Sequence, residues 1–202
     1  MSARFVLLPL VLLLGTLLPC FSFAAADDPE TDPAPSLLKL FKEPSMRPPA
    51  TRPAKEIRLI GHEAFSASIC VRAYLTAEGP RMRVALLTYD TSVLSFENEF
   101  PLPGEHWARI LEFSAPEKVR KPLEGSTEEQ LAYLSGADGS TWILEIREGD
   151  HYFVSSIRNP GWPERLRKTG QFSDPAARLD FHAFVDCCRY LWQFAPVDPE
   201  KL

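Results

Sequence analysis

Thr141-Trp142-Ile143-Leu144-Glu145-Ile146-Arg147-Glu148-Gly149-Asp150-His151-Tyr152-Phe153-Val154-Ser155-Ser156-Ile157-Arg158 is the stretch that decides the fold. Two runs rich in β-branched and aromatic residues flank Gly149-Asp150, a dipeptide suited to a two-residue hairpin turn. Side chains alternate across a strand. With a two-residue turn, Trp142, Leu144 and Ile146 share a face with Phe153 and Ile157, and Ser155 is that face's one polar member. Ile143, Glu145, Arg147, Tyr152 and Val154 then occupy the other face. A three-residue turn would swap the returning faces, so the register is the open point.

Working towards the N-terminus, residues 66–76 alternate: Ile69, Val71, Ala73 and Leu75 lie on one face, with Ser68, Cys70, Arg72 and Tyr74 on the other. Ala77-Glu78-Gly79-Pro80 is a turn signal, and residues 82–89 return as the second strand of a hairpin. Residues 57–60 and 93–96 read as further short strands. The period changes over 101–113, where Trp107, Ile110 and Leu111 stand at i, i+3 and i+4. Pro103 suits a first helical turn and Glu105 suits its positive end. Ser126-x-x-Glu129 is a capping-box pattern opening a short helix to Leu134.

Towards the C-terminus, 159–173 reads as a loop. The last helix is expected to be capped by Asp174 with Pro175 in its first turn, and to be stopped by Pro196. Phe181, Phe184, Val185, Cys188, Leu191, Trp192 and Ala195 form its apolar stripe. Together these elements predict an α+β fold: an antiparallel sheet of hairpins packed against a long C-terminal helix and one or two shorter helices.

The beginning of the chain has a different character. Arg4, the apolar run from Phe5 to Leu18, and Ala24-Ala25-Ala26 give the order of a cleavable secretory signal over residues 1–26. Pro9, Gly15 and Pro19 interrupt the apolar run, which falls short of the ~20 residues a membrane span needs. Cys20 opens a lipid-anchored alternative, although Pro19 stands where a lipoprotein signal wants a small residue. Residues 27–54 are proline-rich and read as a linker. Its one apolar island, Ser36-Leu37-Leu38-Lys39-Leu40-Phe41-Lys42, is expected to dock back on its own domain. That leaves a single domain over 55–196 and a short tail over 197–202.

The chain has 202 residues and a formal charge of −5; removing Arg4 with the signal leaves −6. No basic patch of nucleic-acid size is present. Phosphate-loop and dinucleotide glycine patterns are also missing, so no cofactor is expected. Cys70, Cys187 and Cys188 remain in the mature chain. In an oxidising compartment Cys70 is expected to pair with Cys187 or Cys188; the equal alternative is three buried thiols.

Few residues are candidates for chemistry. His182, Asp186, Arg189 and Gln193 recur at i, i+4, i+7 and i+11, which is a solvent stripe and neither a catalytic nor a metal constellation. His62, His106 and His151 are scattered, and no three-ligand metal spacing appears. Asp138 and Asp150 are explained by their turns. Asp138, Trp142 and Glu145 are the remaining surface or cleft candidates, with Glu145 drawing most interest as an acid inside an apolar strand.

The pattern Gly136-x-Asp138-Gly139-Ser140-x-Trp142-x-Leu144-Glu145, followed by Tyr152-x-Val154 and a distal apolar helix, resembles a group of uncharacterised exported bacterial proteins that share a G-x-D-G-x-x-W-x-L-E strand. Asn159-Pro160 stands where that group has a W-S-P-like turn. The resemblance spans about half of the chain. It implies a bacterial envelope protein and no particular reaction. The leading expectation is an exported, non-catalytic binding or accessory module, with another envelope protein as its partner, no nucleic acid, and membrane contact only through a lipidated Cys20. The alternatives are a small hydrolase using Asp138, Glu145 and a histidine, and a lipid-anchored envelope scaffold.

Overall fold

In the computed structural model, residues 35–47, 55–62, 67–88, 93–115, 117–119, 139–171, 173 and 178–196 are described. The signal, Cys20, most of the proline-rich stretch, Asp138 and the expected 126–134 helix lie outside them. Six strands form one antiparallel sheet: β1 Lys55–His62, β2 Ser68–Thr76, β3 Gly79–Leu87, β4 Leu94–Pro101, β5 Thr141–Glu148 and β6 His151–Arg158. Their spatial order is β4-β3-β2-β1-β5-β6. A four-strand meander is thus extended by a C-terminal hairpin whose first strand docks beside β1.

The hairpin forms in the two-residue register, with Glu148 opposite His151 and Trp142 opposite Ile157. Gly149 takes a φ of 59° in its turn, a conformation glycine adopts without a Cβ clash. The β2–β3 turn is tighter than the sequence suggests. Gly79 pairs with Thr76 at a φ of 123°, and the Thr76 hydroxyl bridges the turn. The strand therefore starts at Gly79, three residues ahead of the expected position. β4 is also longer than the 93–96 expected, because Arg81 to Leu86 offers it an unbroken pairing edge before the register shifts at Leu87.

A short helix α1 (Pro35–Leu40) near the N-terminus lies on one face of the sheet, and the longer helices cover the other. Helix α2 (Gly104–Phe113) buries Trp107 and Ile110 there. Helix α4 (His182–Trp192) buries Phe184, Val185, Cys187, Cys188, Leu191 and Trp192. At ~1.5–3 kcal/mol for each large apolar side chain, these residues carry much of the core's stabilisation. His106 and Tyr190 join α2 to α4 through a 2.8 Å hydrogen bond. Trp192 lies over Gly61 on β1, where any Cβ would stand 2.5 Å from its ring.

Three expectations are corrected here. The C-terminal helix is not long: it has eleven residues and starts at His182, with 179–181 non-helical. Asp174 and Pro175, its expected cap, lie outside the described residues. The 159–173 loop contains helix α3 (Trp162–Lys168), which buries Pro163 and Leu166; its one apolar contact per turn is too sparse a pattern to stand out among its charges. The domain also begins before residue 55. Segment 35–47 docks on its own sheet, as expected of its apolar island, with Leu38, Phe41 and Met46 buried. It covers the face opposite the helices, packing on Ile60, Cys70, Ala85, Leu87, Ile143 and Val154. The sheet is therefore the middle layer of three.

Candidate functional site: an arginine row under the N-terminal segment

Alternation places the even-numbered residues of β1 and β2, and the odd-numbered residues of β3 and β5, on the face under segment 35–47. Arg58, Arg72 and Arg83 stand directly opposite one another on three adjoining strands. Glu145 continues the row on β5, opposite Arg58. Like charges in directly opposed positions repel, so this row requires counter-charge. Segment 35–47 supplies it.

Glu43 is the shared counter-ion. Its carboxylate accepts from Arg58 Nη1 at 3.2 Å, lies 3.4 Å from Arg72 Nε, and makes a short contact with Arg83 Nη1. The same guanidiniums also hold the segment's backbone. Arg58 donates to the Pro44 carbonyl at 2.7 Å, and Arg83 to the Phe41 carbonyl at 2.7 Å. On the other side of Arg58, Glu145 Oε2 accepts from Nε at 2.6 Å and lies 2.5 Å from Nη2. The Tyr152 hydroxyl donates to the remaining Glu145 oxygen at 2.7 Å. In the next row Glu56 lies between Arg72 and Arg147, at 3.9 and 3.7 Å. At the rim, Glu97 accepts from Arg83 at 2.9 Å.

Burial makes these pairs strong. The side chains of Arg58, Glu43 and Glu145 are at most 1 % exposed, and Arg72 is the open member at 13 %. Burial works against the charge of Arg58, yet Glu145 and Glu43 outweigh it and hold the guanidinium above its ordinary value. Arg83 is raised in the same way, with burial opposed by Glu43 and Glu97. The Arg83 hydrogen bond holds Glu97 below the usual carboxylate range. Cys70 lies in the same layer, and its burial, reinforced by Glu43, pushes the thiol up so that it stays protonated. The arrangement can grip a carboxylate together with the carbonyls of an extended backbone. It offers no deprotonated nucleophile.

The sequence-level candidates are not brought together. Trp142 packs on the helix side against Trp192, with ring centroids 5.4 Å apart, whereas Glu145 points to the arginine side. Asp138 is outside the described residues. No histidine joins Glu145: His62 bonds Ser68, His106 bonds Tyr190, and His151 and His182 are exposed. The Cys70 pairing with Cys187 or Cys188 is also corrected. All three are free buried thiols, and the sheet separates Cys70 from the other two. Burial pushes Cys187 up to about 12, and Cys188 well above its ordinary value. Among the described residues, no three His, Cys, Asp or Glu side chains cluster as metal ligands, and no helix is long and apolar enough to cross a membrane.

Sequence reasoning missed Arg58, Arg83, Glu43 and Glu56. The available signal was charge recurring at alternate positions in the middle of strands: Glu56 and Arg58, Arg81 and Arg83, Glu145 and Arg147. No known protein family matches the chain, and no curated protein is similar to it.

Proposed function

We propose that this chain is an exported bacterial envelope protein that works as a non-catalytic binding module, and that the arginine-lined face of its sheet is the recognition surface. The observation that carries this reading is Glu43 seated on Arg58, Arg72 and Arg83 with the flanking carbonyls also gripped. Buried guanidiniums in a row are costly as mere core filling, since each charge loses several kcal/mol of hydration. They are well suited to fixing a carboxylate and the backbone around it. Export rests on the secretory pattern of residues 1–26, and a soluble product requires cleavage ahead of Asp27.

Two measurements test the reading. Mass spectrometry of the protein recovered from the envelope fraction is expected to give an N-terminus at Asp27; an acylated Cys20 would replace the soluble module with a lipid-anchored one. Chemical cross-linking in that fraction is expected to give a discrete heteromeric species that Arg72→Met removes. Identical cross-linking of the wild type and Arg72→Met, or none in either, counts against recognition through this face.

A further inference from the structure

We propose that segment 35–47 is a displaceable resident of its seat. The exchanging ligand is an extended segment of a partner protein, with a carboxylate two residues after a large apolar side chain. This inference rests on the reading that the arginine face is the recognition surface, and it assigns that face's ligand and its control.

Three features of the seat support it. The first is the chemistry of the grip. Arg58 and Arg83 hold one carboxylate and two main-chain carbonyls, groups that any peptide with an acidic residue at that point supplies. Side-chain selection falls on the buried Phe41 and Met46. The second is the charge left behind. Withdrawing Glu43 takes away the carboxylate that Arg58, Arg72 and Arg83 share, and these three guanidiniums then offer an incoming acid the same place.

The third is the strain in the closed state. Glu43 N–H bonds the Leu38 carbonyl at 2.8 Å and Lys42 N–H that of Lys39 at 3.1 Å, the closing pattern of a helix C-terminus. The residue that must turn left-handed there, at a φ of 55°, is Lys42. Glycine is the usual occupant, because a Cβ is strained in that conformation. The turn that sends Glu43 into the arginines is therefore built with a residue that weakens closure. Lys42 and the following Pro44 are joined to β1 only through residues 48–54, which include Pro48, Pro49 and Pro53.

A tethered occupant competes through its effective concentration, which falls roughly as the −3/2 power of tether length. Inserting fourteen Gly/Ser residues after position 50 triples the seven-residue tether, leaves the contacts among the described residues in place, and is expected to raise the affinity of a competing peptide about fivefold. The probe is a fluorescein-labelled synthetic peptide of residues 36–47, titrated by anisotropy into the full mature chain. Peptide affinity is expected to rank tether-lengthened chain above wild type above Lys42→Gly, whose relaxed turn tightens closure. A peptide carrying Gln in place of Glu43 is expected to lose at least tenfold. Alkylation of Cys70 follows the same order and reports opening independently of any peptide.

Failure of the peptide to bind the folded, tether-lengthened chain at millimolar concentration would overturn the proposal, because the segment would then be a fixed brace. Equal binding of the Gln peptide would remove the carboxylate from the seat's chemistry. A wild-type dimer that the peptide dissociates would make a second copy the occupant and overturn the partner assignment. Each of these results leaves the Arg72-dependent cross-link standing or falling by its own measurement, so failure of the ligand assignment and failure of the binding-module reading are separable.

Discussion

The ion pair between Arg58 and Glu145 offers the sharpest test of the buried face. Both side chains are sealed from water, and two guanidinium nitrogens meet one carboxylate oxygen at 2.5 and 2.6 Å. Removing one partner of a buried pair costs about 3–5 kcal/mol, because the survivor is left charged in a medium that does not hydrate it. The two survivors are not equivalent. After Glu145→Leu, Arg58 keeps Glu43 and the Pro44 carbonyl, which places that variant at the low end, ~3 kcal/mol. After Arg58→Met, the Glu145 carboxylate loses both guanidinium contacts and keeps the Tyr152 hydroxyl at 2.7 Å among its bonds, and a loss of about 3–5 kcal/mol is expected. The double variant puts two apolar side chains together and should be less destabilised than the sum of the singles by about 2–3 kcal/mol of coupling. Urea unfolding read by the fluorescence of the buried Trp142 and Trp192, with circular dichroism as a two-state check, gives all four values. Single-variant losses below ~1 kcal/mol, the scale of an exposed pair, or strictly additive losses, would refute the reasoning.

Gly61→Ala pushes a Cβ to 2.5 Å from the Trp192 ring and 2.9 Å from Ile69, with no flexible chain end to yield; about 1–3 kcal/mol of lost stability is expected in the same unfolding assay. Glu97 and Glu99 are held below the ordinary carboxylate range, Glu97 chiefly by its Arg83 hydrogen bond and Glu99 by that of Tyr74. Their contribution is complete above the ordinary value and is lost as pH falls through the depressed one. Glu97→Gln should accordingly lower the neutral plateau of a stability–pH curve a little and converge on wild type at acid pH, which flattens the acid limb. Cys187 and Cys188, buried under α4 with their thiols pushed up, should react with a thiol reagent only at the rate of global unfolding, and so more slowly than Cys70 in any chain whose N-terminal segment opens.

The two strands of the hairpin and its Gly149-Asp150 turn were legible from alternation, but the register, and with it the faces of the returning strand, was left open and is set by the two-residue turn the structure shows. The buried faces of α2 and α4 were legible, because Trp107 and Ile110, or Phe184, Cys188 and Leu191, recur at helical spacing. What alternation cannot convey is what lies over the second face. Arg72 beside Tyr74 reads the same whether water or a peptide covers it, so a buried ion network looked like a solvated surface. The decisive partner was Glu43, 15 residues from Arg58 and 40 from Arg83, in a stretch whose prolines suggest a linker. The open choice between a disulfide and buried thiols has a related origin. The alternation over 66–76 already set Cys70 against Ile69 and Val71, and a helix covering Ile69 and Val71 excludes contact with Cys70. Cysteine number in an export context put the pairing level with three buried thiols, and the faces on which the cysteines stand would have decided for the thiols. Helix α3 was missed because so short a helix has little room for a period.

The docking of β5 beside β1 has a consequence for the order of assembly. Arg58 and Glu145 are 87 residues apart in sequence, and the seam between their strands joins a meander to a hairpin made much later. A chain appearing from its N-terminus can complete β1 to β4 early. It then waits, with one side of β1 displaying unpaired amides and carbonyls and with Arg58 lacking its nearest acid. Long-range strand pairing of this kind belongs to the slow end of folding. The waiting edge is also the kind of surface that captures neighbouring strands. A sheet that stays open until its final hairpin arrives makes closure of the β1–β5 seam the step that completes the fold.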